Sequence, residues 1–216
     1  MNLNRRIIYI YDALCGWCYG FSEVIVTLEK TFQDILTFQV LNGGMIMGDR
    51  VKPISETRWY IESAYPIVEA KTGVQFGEAY LNGILKSGQI LSDSLPPALA
   101  FNALKGQTKL TQIGLASSIQ RLLYIEGKNL NEPDSYRSLS EECGISFELF
   151  LSKFKSEETL KETQIEFQQV KSLGVNGFPT VLFDSGNRIY PITSGYSTVE
   201  ILSNRIHHLV ENINKQ

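Results

Sequence analysis

The chain has 216 residues and a net charge of −3 at neutral pH. That length suits one domain with an insertion or two small lobes, and the mild negative charge argues against a nucleic-acid backbone as the main partner. No run of about 18 apolar residues is present to span a membrane, and a hydrophobic share of 43 % is that of a folded globular chain rather than a disordered one.

Ile7-Ile8-Tyr9-Ile10-Tyr11 is a continuous apolar, β-favouring run, the pattern of a strand covered on both faces. It follows Met1-Asn2-Leu3-Asn4-Arg5-Arg6 and leads directly to Asp12 and Cys15. A secretory signal needs an apolar segment of roughly 7–15 residues and a small-residue cleavage site, so this run reads as a buried strand. Residues 15–32 read as a helix with Val24, Leu28 and Phe32 on one repeat, and residues 35–41 return to strand. Strand, helix, strand with short joints makes a βαβ unit with a parallel pair, broken by Asn42-Gly43-Gly44.

Residues 53–154 read as almost wholly helical. Pro96 and Pro97 sit where a first turn tolerates proline, behind a cap at Ser94. Ile113, Ala116, Ile119 or Gln120, and Leu123 repeat at helical spacing, and Gly127-Lys128-Asn129 reads as a helix end. Asp134 is a cap candidate for a short helix reaching Cys143, and Ser146 for another. Ser156-Glu157-Glu158 opens a helix with Leu160, Phe167 and Val170 on its apolar face, ended by Gly174. Residues 179–183 form a strand, Asp184-Ser185-Gly186-Asn187 a hairpin turn and residues 188–192 the returning strand. Ser197 with Glu200 makes a capping box for a last helix that buries Val199, Leu202, Ile206 and Leu209. The order is β-α-β, a helical block, then α-β-β-α. Neither β-containing part has enough strands to stand alone, so the two form one sheet domain split by a helical insertion.

The chemistry lies at Cys15-Gly16-Trp17-Cys18, directly after a strand and at the start of a helix. A spacing of three lets the two sulfurs meet when Cys15 stands at the helix entrance. There it faces the unpaired amides and the positive end of the dipole, both of which favour the thiolate. Thiol–disulfide exchange needs that thiolate and a second thiol to resolve the mixed disulfide. Geometry makes Cys15 the exposed nucleophile and Cys18, one turn inside, the resolving thiol, with Gly16 and Trp17 setting exposure and potential. A structural zinc site would need four ligands. Only Cys143 and the adjacent His207 and His208 remain to supply them, so no metal is expected. Three cysteines are not a secreted disulfide framework, and a close pair in a cytosolic chain is more often catalytic, which makes the cytoplasm the default location. Ahead of the later strand stands Gly177-Phe178-Pro179-Thr180, whose proline is tolerated as a strand opener.

Four segments together resemble the DsbA-like thioredoxin family, most closely its FrnE-like branch, described as predicted disulfide isomerases. They are Asp12-Ala13-Leu14-Cys15-Gly16-Trp17-Cys18-Tyr19-Gly20, Leu95-Pro96-Pro97-Ala98, Tyr124-Ile125-Glu126-Gly127-Lys128, and Gly177-Phe178-Pro179-Thr180. The resemblance implies an α/β thioredoxin fold with a large helical insertion between its βαβ and ββα halves. On that division residues 1–48 and 156–216 form the thioredoxin-like domain and residues 49–155 the insertion. It also implies that Pro179 is cis and packs against the cysteine pair, with the Phe178 backbone pairing to an extended substrate. Two positions depart from the family: Ala13 stands where relatives often have proline, and Tyr9 where many bury an acid six residues before the first cysteine. Asp12, which also shapes the site, or a water is then the substitute for proton handling.

Protein or small-molecule thiols and disulfides are the expected partners, glutathione among them, with no cofactor beyond the redox-active pair. The rival readings are a glutathione-dependent transferase or isomerase of the hydroxychromene-carboxylate isomerase type, which usually keeps one serine or cysteine at the first position, and a non-enzymatic peptide-binding redox module. The intact pair disfavours both. Trp59, Tyr60 and Tyr65 are candidates for a groove over the pair, though core or surface packing is their commoner role. Met45 and Met47 are candidates to flank the pair, with packing equally expected. Cys143 reads as a buried unpaired thiol, and His207 and His208 as residues at the solvent edge of the last helix.

Overall fold

The computed structural model describes residues 5–213; Met1-Asn2-Leu3-Asn4, and residues 214–216 of the domain boundaries above, lie outside the described residues. Strand β1 (Arg6–Tyr11) leads to helix α1 (Gly16–Phe32) and strand β2 (Thr37–Asn42), which pairs parallel to β1 with Ile7 opposite Phe38 and Tyr9 opposite Val40. After the insertion, strands β5 (Thr180–Asp184) and β6 (Ile189–Ser194) complete one sheet in the order β2-β1-β5-β6, with β5 antiparallel to both neighbours. Helix α8 (Val199–Ile213) closes the chain's described part.

The insertion carries α2 (Arg58–Thr72), a π-helical turn (Ala79–Leu85), α3 (Leu95–Leu104), α4 (Gln112–Tyr124), α5 (Arg137–Glu142) and α6 (Phe147–Phe154), and α7 (Glu157–Ser172) leads back to the sheet. It is not wholly helical: β3 (Lys52–Pro53) and β4 (Leu91–Ser92) form a short antiparallel pair. Two-residue strands have no periodicity to read, so this pair left no trace in the pattern.

Alternation along β1 explains the layering. Ile7, Tyr9 and Tyr11 join the larger core with residues of α1, α4 and α8, whereas Ile8 and Ile10 pack with Leu41, Leu182 and Val170 of α7 on the other face. A strand buried on both sides is why the run contains no polar residue. Gly20 lets α1 approach α2 closely, since a Cβ there would lie 2.8 Å from the Val68 side chain and 2.9 Å from Thr72.

Several helix starts differ from the sequence reading. Ser146 and Ser156 cap α6 and α7 as read, accepting from Leu149 and Thr159 N–H at 3.2 and 3.1 Å. Ser94 does not cap α3 with its side chain; its Oγ accepts from Ile46 N–H at 3.0 Å, and Asp93 Oδ1 accepts from Leu95 N–H at 2.9 Å. Asp134 lies inside a 3₁₀ turn and pairs with Arg137 at 2.6 Å instead of capping. Thr198, not Ser197, accepts from the first turn of α8, from Ile201 N–H at 3.4 Å. On α7 the buried positions are Thr159, Thr163, Glu166 and Val170; Leu160 and Phe167 are only half-buried. This polar face meets polar partners: Asn102 donates to Thr163 Oγ1 at 3.0 Å, while Glu166 pairs with Lys105 at 2.6 Å and accepts from the Asn42 side chain at 2.8 Å.

Candidate redox site

Cys15 is the N-cap of α1, with an extended backbone, and its sulfur accepts the Cys18 N–H at 3.3 Å. The cap that serine or aspartate commonly supplies is thus a thiol, held against the amides at the positive helix end. The Cys15 thiol donates to the Phe178 carbonyl at 3.7 Å. The peptide bond following that carbonyl, Phe178–Pro179, is cis. The strand-opening loop therefore lies over the first cysteine, and the four residues singled out from distant segments meet at one point.

The two sulfurs differ in environment. Cys15, expected as the exposed nucleophile, is itself buried at 7 % exposure with the Phe178 carbonyl against its sulfur, and Cys18 is at 0 %; both are free thiols. Burial pushes the Cys18 thiol well above the ordinary range, and the neighbouring Cys15 adds to the rise. Tyr9, in the position where an acid was missing, is buried beside Cys18, and its hydroxyl has no nitrogen or oxygen partner. Burial pushes its phenol far up as well, so it stays neutral.

Asp12 is used structurally. Its Oδ1 accepts from Leu14 N–H at 3.0 Å and its Oδ2 from Met45 N–H at 2.7 Å, tying the loop before Cys15 to the loop after β2. Its carbonyl accepts from Cys15 N–H at 3.1 Å and from the buried Gln120 side chain at 3.4 Å. Burial raises the Asp12 carboxyl above its ordinary value despite these bonds. Gly16 stands against Phe76, with room for ordinary contact only, and the Trp17 ring lies 6.3 Å from that of Tyr196 with the Lys71 ammonium 5.9 Å from its centre. Gly43 abuts the Phe178 ring so closely that a Cβ would overlap it.

A cavity of ≈ 130 Å³ opens at Cys15, Gly16 and Trp17, walled by Tyr60, Tyr65 and Met45 among others. Trp59 is not in that wall and is 73 % exposed. Successive helix residues point about 100° apart, so Trp59 faces outward when Tyr60 faces the cavity. Met47 is likewise absent from it. Cys143 is a buried free thiol, and His207 and His208 are exposed on α8. Among the described residues no three of His, Cys, Asp and Glu gather as a metal site. Sequence reasoning missed Gln120, Phe76, Tyr80 and the aromatic role of Tyr124, because their convergence on the pair is a property of the fold.

A family model described as thioredoxin matches residues 8–193. The chain belongs to the DsbA-like thioredoxin family. Among solved structures, this family member resembles a proposed protein disulfide isomerase from Nitrosomonas europaea, at 25 % identity and a TM-score of 0.85, covering 96 % of this chain and 98 % of that one. It also resembles the cytosolic disulfide reductase DsbM from Pseudomonas aeruginosa, at 29 % identity and a TM-score of 0.75 over 87 % of this chain and 89 % of that one. DsbM has also been solved with glutathione. A 2-hydroxychromene-2-carboxylate isomerase shares the fold at 12 % identity and a TM-score of 0.66, covering 97 % of this chain and 98 % of that one. No protein with a curated description matches significantly in sequence. No helix among the described residues is long and apolar enough to cross a membrane.

Proposed function

We propose that this protein is a thiol–disulfide oxidoreductase or disulfide isomerase that exchanges disulfides through Cys15 and Cys18. The observation that carries the reading is the asymmetry of the pair: Cys15 sits at a helix entrance with an amide on its sulfur, and Cys18 is sealed one turn inside. The Cys15 thiolate attacks a substrate disulfide, one substrate thiolate leaves, and the mixed disulfide forms. Cys18 then loses its proton, attacks the Cys15 sulfur and releases the second substrate thiol, leaving the Cys15–Cys18 disulfide. Phe178 and Pro179 would hold an extended substrate against Cys15, with Gly16, Trp17 and Asp12 shaping the mouth. The neutral Tyr9 hydroxyl would donate a hydrogen bond to the Cys18 thiolate as it forms.

The likeness to DsbM supports the cytosol as the place of action and glutathione as one of several thiol partners, beside protein disulfides. We take residues 1–48 and 156–216 as the thioredoxin-like domain and residues 49–155 as the insertion. The presence of two sulfurs favours exchange over the glutathione-dependent isomerase chemistry of the hydroxychromene type.

The test is turnover of insulin and of a di-glutathionylated peptide. Cys15→Ser should abolish both, and Cys18→Ser should accumulate mixed disulfides at Cys15. Full activity in Cys15→Ser would end the reading. The reduction potential of the pair assigns direction: about −270 mV marks a reductant and about −120 mV an oxidant.

A further inference from the structure

Two cavities lie beside the pair on the insertion side. The smaller, ≈ 130 Å³, includes Cys15 in its wall. The larger, ≈ 400 Å³, shares with it Leu14, Met45, Tyr60, Ile61, Tyr80 and Tyr124. An apolar cavity of about 150 Å³ accommodates benzene, so the smaller chamber is about phenyl-sized. The larger falls in the range of roughly 300–1,000 Å³ typical of small-molecule sites and exceeds what one amino-acid side chain fills.

The shared wall carries two tyrosine hydroxyls that no protein group among the described residues pairs and that are not sealed in the core. Tyr80 and Tyr124 are 3 % and 2 % exposed, their rings are 5.0 Å apart, and neither hydroxyl has a hydrogen-bond partner among the described residues. Buried hydroxyls are normally paired, and nearby tyrosines obey this: Tyr19 donates to the Gln75 carbonyl at 2.8 Å and Tyr136 to that of Leu130 at 2.7 Å. The unpaired Tyr9 and Tyr11 hydroxyls are sealed in the core, whereas Tyr80 and Tyr124 line both chambers. Burial pushes the Tyr80 phenol well above its ordinary value, so it is a neutral donor. The π-helical turn Ala79–Leu85 sets both Tyr80 and Ile84 on the wall of the larger chamber, a local distortion often found at functional sites.

We propose that these chambers hold the aryl-bearing arm of a small-molecule disulfide, with a carbonyl oxygen of that arm accepting from Tyr80 and Tyr124. The inference rests on the exchange reading above and names the substrate class for it. Arg50 is the one charged residue lining the larger chamber and none lines the smaller, so a neutral aryl arm loses less hydration there than the several charged groups of glutathione. The step balances as two electrons: the reduced pair and R–S–S–R give two R–SH and the Cys15–Cys18 disulfide.

The test measures single-turnover oxidation of the pre-reduced protein, quenched by alkylation and read by mass. The two oxidants are N,N′-bis(phenylacetyl)cystamine and N,N′-diacetylcystamine, which release thiols of the same leaving ability. The aryl compound should react with a rate constant at least about tenfold larger. Ala64→Phe, which fills the smaller chamber, should bring the ratio of the two rate constants to near one, and Tyr80→Phe should lower it about threefold. N-ethylphenylacetamide, which has no sulfur, should slow the aryl reaction competitively. Equal rate constants in the wild-type protein would overturn this inference and leave the exchange reading standing. Failure of both disulfides to oxidise the pair would remove that reading and this inference with it. Should Ala64→Phe not fold, the Tyr80→Phe ratio and the competition decide.

Discussion

Asp12→Asn tests whether the loop before Cys15 is held by a buried carboxylate. The carboxylate accepts two backbone N–H groups, from Leu14 at 3.0 Å and Met45 at 2.7 Å. Asparagine keeps one acceptor and turns a donor toward the other N–H. Leaving a buried donor unsatisfied costs about 1–3 kcal/mol, and for a domain of this size 1 kcal/mol moves Tm by about 2–4 °C. A loss of roughly 2–12 °C is the expected outcome. The pH dependence is more discriminating. Burial raises the folded carboxyl above its unfolded value. The stability it contributes is therefore fully present below the unfolded value and lost as pH rises through the folded one. The asparagine variant lacks this slope, so its deficit relative to wild type should shrink from pH 4 to pH 7. Urea melts of both proteins at pH 4, 5, 6 and 7 measure it. A deficit that widens with pH would show that the hydrogen bonds outweigh desolvation and refute the reasoning.

Four further outcomes follow from burial and from named contacts. Iodoacetamide should label reduced native protein at Cys15 alone near pH 7, with Cys18 and Cys143 reacting only in denaturant, because burial raises both of those thiols; peptide mapping checks the order. Once the mixed disulfide has formed, its resolution should speed up as pH rises, since the neutral form of Cys18 is favoured until well above its ordinary range; stopped-flow decay of the mixed disulfide measures this. Gly20→Ala should destabilise the chain by about 1–3 kcal/mol through overpacking where α1 meets Val68 and Thr72, and Glu166→Ala by a similar about 1–3 kcal/mol by stripping the Asn42 amide and Lys105 of their acceptor; denaturant titration tests both.

The site was legible where its signals are local. A double-faced strand, a helix starting at Cys15 and a strand-opening Pro179 each leave a mark within a few residues, and the structure brings them together at the Cys15 thiol and the Phe178 carbonyl. Caps were harder because tertiary groups compete for the same oxygen: Ser94 has the right chemistry for α3, but the Ile46 N–H takes its hydroxyl. The buried face of α7 escaped because periodicity detects apolar stripes, and this stripe holds Thr163 and Glu166 satisfied by Asn102 and Lys105 about sixty residues earlier. The cavity wall was least legible, since concavity has no sequence period. Tyr124 belongs to a recognisable segment and Tyr80 to none, and they become a pair only because the π-helical turn and the end of α4 pack together, with the Gly77 N–H donating to the Tyr124 carbonyl at 2.7 Å. Gly77 has no room for a Cβ against the Ile125 backbone. The close approach that aligns the two phenols therefore depends on a glycine outside every motif, and a Gly77→Ala variant should disturb substrate selection at Cys15 while leaving the CxxC segment itself intact.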